Sequence, residues 1–160
     1  MCRSDQTNRD ITFVAMPQGY VARFTSALIN HHAGCLQRVM GCSEAMAKEI
    51  TLRQLSSLYN NQNLQADSYL IAVQRLEQII GGAWYSAQMG QAGILHWIMI
   101  EDIYQGNGHG KRLMQYVIQH CQSVGAIGLA LHVFAENEQS VLLYRKLGFA
   151  MIGKEMYLQW

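Results

Sequence analysis

Residues 94–112, ILHWIMIEDIYQGNGHGKR, decide how this chain is read. Ile94 to Ile100 is apolar apart from His96, three alternating glycines follow at Gly106, Gly108 and Gly110, and an amphipathic stretch starts directly behind them. An apolar run without alternation predicts a strand covered on both faces. Behind the glycines, Leu113, Met114, Val117, Ile118 and Cys121 form one stripe, while Lys111, Arg112, Gln115, Gln119 and Gln122 face away. That spacing predicts a helix ending near Gly125. The glycines therefore lie at a strand-to-helix junction. With side chains removed there, successive backbone N–H groups and the positive end of the helix dipole become available to a phosphate.

Two common nucleotide sites do not fit. A P-loop needs Ser or Thr after its Lys so that a hydroxyl reaches magnesium, and here Arg112 follows Lys111. A dinucleotide fingerprint needs a third glycine where Lys111 stands. A ligand-free turn would need only one or two glycines, so a different cradle for a pyrophosphate-bearing ligand fits the pattern better.

Working outward, Ile11–Ala15 predicts a strand stopped by Pro17, the only proline. Tyr20–His32 and Ser43–Tyr59 predict two helices with Gly34 and Gly41 between them, and Asn60 to Asn63 a polar loop. Tyr69–Val73, Ile79–Gln88 and Ile94–Ile100 predict a three-strand meander, because the links are too short for crossover helices. Ile127–Phe134 predicts a further strand. Asn137–Leu147 predicts a helix capped by Asn137 and ended by Gly148, and Phe149–Leu158 a final hairpin turning at Gly153-Lys154.

The chain has 160 residues, half of them hydrophobic and 14% charged, with a net charge of +1. This predicts a single globular domain behind a polar segment at residues 1–10. Near-neutral charge gives no reason to expect nucleic acid as a partner. Cys2, Cys35, Cys42 and Cys121 show neither metal-site nor disulfide-framework spacing, so free thiols in a reducing cytoplasm are expected. His31, His32, His109 and His120 likewise lack metal-site spacing. The polar start MCRSDQTNRD is unlike a secretory signal, and no apolar run approaches the ~20 residues that span a bilayer.

Gln105-x-x-Gly108-x-Gly110, opening a helix after a buried strand, resembles the acetyl-CoA pyrophosphate loop of the GNAT family of N-acetyltransferases. Downstream, Asn137-Glu138-Gln139-Ser140-Val141-Leu142-Leu143-Tyr144-Arg145-Lys146-Leu147-Gly148-Phe149 is similar to that family's N-x-x-(A/S)-x-x-x-Y-x-K-x-G-F segment. The resemblance implies an α+β fold with a mixed, mostly antiparallel sheet of about six to seven strands flanked by about four helices. It also implies transfer of an acetyl group from the cosubstrate acetyl-CoA directly to a primary amine, that of a small molecule more than that of a protein. A protein N-terminal or lysine acetyltransferase and a non-catalytic acyl-CoA sensor are the alternatives. No metal or membrane is implied, the expected location is cytoplasmic, and the chain would be a monomer or homodimer.

Residue by residue, the resemblance assigns the cofactor to Gln105, Gly106, Asn107, Gly108, His109, Gly110, Lys111 and Arg112, with the backbone N–H groups of Gly106 to Lys111 on the pyrophosphate and Lys111 or Arg112 adding charge at its edge. Ile98, Met99 and Ile100 match the stretch whose backbone pairs with pantetheine and polarises the thioester carbonyl. Asn137 would bond the pantetheine arm, and Tyr144 would protonate the departing thiolate. His132 and His96 occupy places where family members carry a base, and histidine titrates near neutrality. Glu101 and Asp102 follow the same strand and could meet an acceptor amine. His109 stands where an aliphatic residue is common.

Overall fold

The computed structural model describes residues 10–56, 59–60, 63–64, 66–153 and 156. Its elements run β1 (Ile11–Ala15), α1 (Gln18–Met40), α2 (Glu44–Ser56), β2 (Tyr59–Asn60), β3 (Asn63–Leu64), β4 (Ser68–Arg75), β5 (Gln78–Ser86), β6 (Ala92–Ile100), α3 (His109–Ser123), β7 (Gly128–Leu131) and α4 (Glu138–Lys146). The chain forms two compact units, Met1–Val21 with Ala66–His132, and Ala22–Gln65 with Val133–Trp160.

The first unit holds a five-stranded sheet in the order β1-β4-β5-β6-β7. β1, β4, β5 and β6 pair antiparallel, and β7 pairs parallel to β6. The mixed α+β fold and the meander are as expected, with five strands in the main sheet. Close approach of β5 and β6 depends on Gly81, where a Cβ would lie 2.3 Å from the Met99 carbonyl oxygen. α3 lies on one face of this sheet: Tyr116 stacks on Phe13 of β1 at 4.6 Å, and His120 Nδ1 lies 3.0 Å from the Tyr85 hydroxyl of β5. The predicted stripe is the face it buries, with Leu113, Met114 and Val117 fully enclosed. Each such side chain contributes about 1.5–3 kcal/mol.

In the second unit, Ala33 and Leu36 of α1 pack with Ala47 of α2, joined by Met40, Ile50 and Phe134. His32 Nδ1 lies 3.1 Å from Thr51 Oγ1, and that hydroxyl donates its one proton to the Ala47 carbonyl. Nδ1 of His32 is therefore the donor in that contact.

Several boundaries differ from the sequence reading. Gly34 lies inside α1, which continues to Met40 and stops at Gly41, where φ is +64°. A helical glycine costs ~1 kcal/mol against alanine, and burial of Ala33, Cys35 and Leu36 around it offsets that. The expected polar loop carries the paired ends Tyr59–Asn60 and Asn63–Leu64, while Asn61 and Gln62 lie outside the described residues. β7 ends at Leu131, short of Phe134. Phe149–Gly153 and Met156 take no strand, and the rest of the expected hairpin, Lys154 included, lies outside the described residues.

Candidate active site

The glycine junction is built as its spacing implies. A single 3-10 turn, Asp102–Tyr104, leads from β6 into the loop. Gly106 and Gly108 take φ of +76° and +77°, a left-handed conformation that glycine adopts without strain. No atom lies within 4 Å of where their Cβ atoms would stand, so open space is left there. Gly108 caps α3 without a side-chain bond, and its carbonyl accepts from Arg112 N–H. The N–H groups of His109, Gly110 and Lys111 are the unsatisfied donors of the first turn. A pyrophosphate fits a cleared helix terminus of this kind.

Gln105 and Asn107 shape the loop from within. Gln105 Nε2 donates to the Ile100 carbonyl and to Asp102 Oδ1, both at 2.9 Å. Asn107 Nδ2 donates to the carbonyls of Tyr104 and Gln105 at 3.3 and 3.2 Å. Lys111 is exposed, and Arg112 is half-buried with Nη1 enclosed and without a hydrogen-bond partner among the described residues.

Next to the loop, the sheet parts. β6 and β7 pair from Ala92–Gly128 to Leu95–Leu131, and there the parallel ladder ends, while β6 continues to Ile100. At the same level β6 bulges. Trp97 pairs with Trp84 and Leu95 with Tyr85, so His96 is the extra residue without a partner on β5. Glu101 N–H donates to the Ile80 carbonyl, which turns that residue toward β5. By strand alternation the N–H and C=O groups of Ile100 and Ile98 point the other way, to the side β7 has left. Residues His96–Met99 are half-buried and Ile94 is exposed, so β6 is not covered on both faces as its apolar run implies.

His96 Nε2 lies 3.1 Å from Ser86 Oγ, and its ring tilts against Trp84 at 5.3 Å. Burial holds its pKa below the ordinary histidine range, partly offset by the Asp67 carboxylate. His132 stands just past the end of β7, exposed, rather than within the strand. Its different setting follows from the parting of β6 and β7.

Asn137 and Tyr144 belong to the second unit. Asn137 caps α4, its Oδ1 accepting from Ser140 N–H at 3.2 Å, and Gly148 ends that helix with φ of +95°. Tyr144 is buried, with its ring edge-on to Phe149 at 5.7 Å. Burial raises the phenol pKa above its ordinary value.

The sequence model described as "Acetyltransferase (GNAT) family" matches residues 36–149. The chain belongs to the GNAT family. Among curated relatives, the mycothiol acetyltransferase of Renibacterium salmoninarum is 36% identical over 107 residues, covering 64% of this chain and 32% of that one. The chain thus spans about a third of that relative's length. The uncharacterised N-acetyltransferase YycN of Bacillus subtilis is 30% identical over 76 residues, 46% of this chain and 49% of that one. The YycN crystal structure superposes with a TM-score of 0.84 at 20% identity, over 94% of this chain and 98% of that one. AAC(6')-Iy, solved with the bisubstrate analogue CoA-S-monomethyl-acetylneamine, shares the fold at a TM-score of 0.58 and 14% identity, over 93% and 97% of the two chains.

Ser86 and Asp67 around His96, and Arg75, whose charge lowers the His109 pKa, are functional neighbours outside the sequence motifs. These neighbours come from strand register and leave no local signal. Among the described residues no helix is long and apolar enough to cross a membrane, and no cluster of three or more His, Cys, Asp or Glu side chains is placed to hold a metal ion.

Proposed function

We propose that this GNAT-family chain transfers the acetyl group of acetyl-CoA directly to a primary amine of a small molecule. The observation that carries this reading is the parting of β6 and β7 after Leu95 and Leu131, with the freed β6 backbone leading straight into a glycine-cleared helix terminus. A pantetheine amide chain matches the first feature and a pyrophosphate the second. The relative named for mycothiol and the neighbour solved with a CoA–acetylneamine analogue support a small acceptor.

The residues have separable roles. The N–H groups of His109, Gly110 and Lys111 hold the pyrophosphate, and Lys111 adds charge at its edge. Ile98 and Ile100 bond the pantetheine arm, and the β6 backbone polarises the thioester carbonyl where negative charge develops. Asn137 bonds the arm from α4. Tyr144 gives its proton to the departing sulfur; its raised pKa keeps the phenol protonated at neutral pH. His96 accepts the amine proton, since its lowered pKa keeps the imidazole neutral. His132 is the second candidate for that proton.

The test is thiol release from acetyl-CoA with a panel of small amines and a parallel panel of peptides, with acetylated products identified by mass. Turnover with small amines is the expected result. Turnover confined to peptides moves the acceptor to protein, binding without turnover makes the chain an acyl-CoA sensor, and absence of binding removes the reading.

A further inference from the structure

We propose that His109 couples ligand binding at the glycine loop to uptake of one proton from solvent. The inference rests on the pyrophosphate reading of that loop and concerns its regulation. His109 is the first residue of α3 and only 5% exposed, an unusual place for an imidazole. Its Nδ1 is enclosed and has no hydrogen-bond partner among the described residues, and the same holds for Nη1 of Arg112 one turn along. The charged groups acting on the ring are Arg112 from its own helix and Arg75 from the end of β4. Neither guanidinium has a salt bridge to a carboxylate among the described residues.

This surrounding makes a cationic ring costly in the free protein. Burial, the α3 dipole and two guanidiniums all oppose a further positive charge, so the ring is neutral, with its pKa below the ordinary histidine value. A pyrophosphate at the same helix terminus brings two negative charges and reverses the balance. The ring then favours its protonated form. The sum is a neutral imidazole, one solvent proton and a dianion giving an imidazolium beside the dianion, with no other bond made or broken. Binding therefore tightens as pH falls through the bound-state pKa and levels off below the free-state pKa. Each unit by which binding raises that pKa corresponds to about a tenfold gain in affinity across the window.

The test uses the whole chain and dephospho-coenzyme A, whose pyrophosphate diester does not titrate near neutrality. Calorimetry near pH 6.5 in two buffers of different ionisation enthalpy reads the proton count per ligand bound, and ¹⁵N shifts of the histidine rings read which one titrates. Uptake of about half a proton or more, assigned to His109 and abolished in His109→Leu with affinity then flat in pH, is the expected result. Binding without proton uptake overturns the proposal and leaves the pyrophosphate reading standing. Absence of binding overturns both. Because the wild-type measurements alone distinguish these outcomes, a His109→Leu chain that fails to fold does not shield the idea.

Discussion

Gln105 fastens the glycine loop to β6: its Nε2 donates to the carbonyl of Ile100 at 2.9 Å, at the far end of the stretch of β6 that continues past its last β7 partner. The same amide reaches Asp102 Oδ1, so one side chain sets the angle between strand and loop. Gln105→Ala removes both bonds at a cost of about 1 kcal/mol. Steady-state kinetics should show KM for acetyl-CoA raised about fivefold with kcat little changed, since the loop would be displaced and the reacting groups kept.

The three glycines should not be equivalent. Gly108→Ala forces an alanine to φ of +77°, costing about 1–2 kcal/mol. The thermal midpoint should fall by about 2–8 °C. At Gly110 the new methyl group would meet only Ile100 Cγ1 at 3.9 Å, ordinary contact, and the residue is helical. Gly110→Ala should leave the midpoint unchanged or slightly raised. Equal losses at both positions would sink the idea that the left-handed backbone at Gly108 is what selects glycine there.

Tyr144→Phe should lower kcat on the order of tenfold to a hundredfold while sparing the KM for acetyl-CoA. The pH profile carries the sharper expectation. A proton donor with a raised pKa stays competent below that value and is lost as pH rises through it, so the alkaline limb should lie above the ordinary phenol range. Disappearance of that limb in the variant, read from kcat against pH, assigns it to Tyr144.

For His96 the sign is opposite. A base with a depressed pKa is competent above that value and fails as pH falls through it, so the acid limb of kcat should lie below the ordinary histidine range. His96→Gln should remove that limb and lower kcat at neutral pH about a hundredfold. An unchanged limb would transfer the role to His132, and the double variant would check that.

Tyr85 provides a stability test away from the chemistry. It is fully buried beside His120 Nδ1, and burial pushes its pKa far upward. Its stabilisation is complete below the unfolded phenol value and is lost as pH rises toward the folded one, so resistance to urea should fall only in strong alkali. Tyr85→Phe leaves His120 without that bond and should cost about 1–2 kcal/mol at neutral pH, read as a lower urea midpoint.

Features whose cause is local were legible in the chain. The α3 stripe, the Asn137 cap, the Gly148 stop and the glycine junction each follow from residues a few positions apart, and each stands where its spacing implies. Features arising from pairing were not. His96 is a bulged residue only because Trp84 and Tyr85 of another strand set the register, and nothing in ILHWIMI shows it. β7 ends at Leu131, where its ladder with β6 ends, although Val133 and Phe134 continue the same β-type composition. Arg75 acts on His109 from a strand end 34 positions earlier, across a gap that only the sheet closes. Gly34 looks like a break and lies in mid-helix, since the burial that holds it comes from α2 and Phe134.

Past Leu95, β6 has no strand partner on the β7 side among the described residues, and this has a meaning beyond the reaction. A strand presenting N–H and C=O groups with no neighbouring strand is a template for another polypeptide, and proteins usually blunt such rims with charge or proline. Ile98-Met99-Ile100 carries neither. Under the proposed reading the coenzyme acts there as a non-peptide strand that tiles the stretch of β6 beyond Leu95. The same ligand that delivers the acetyl group would then also keep separate copies of the chain from adhering to one another.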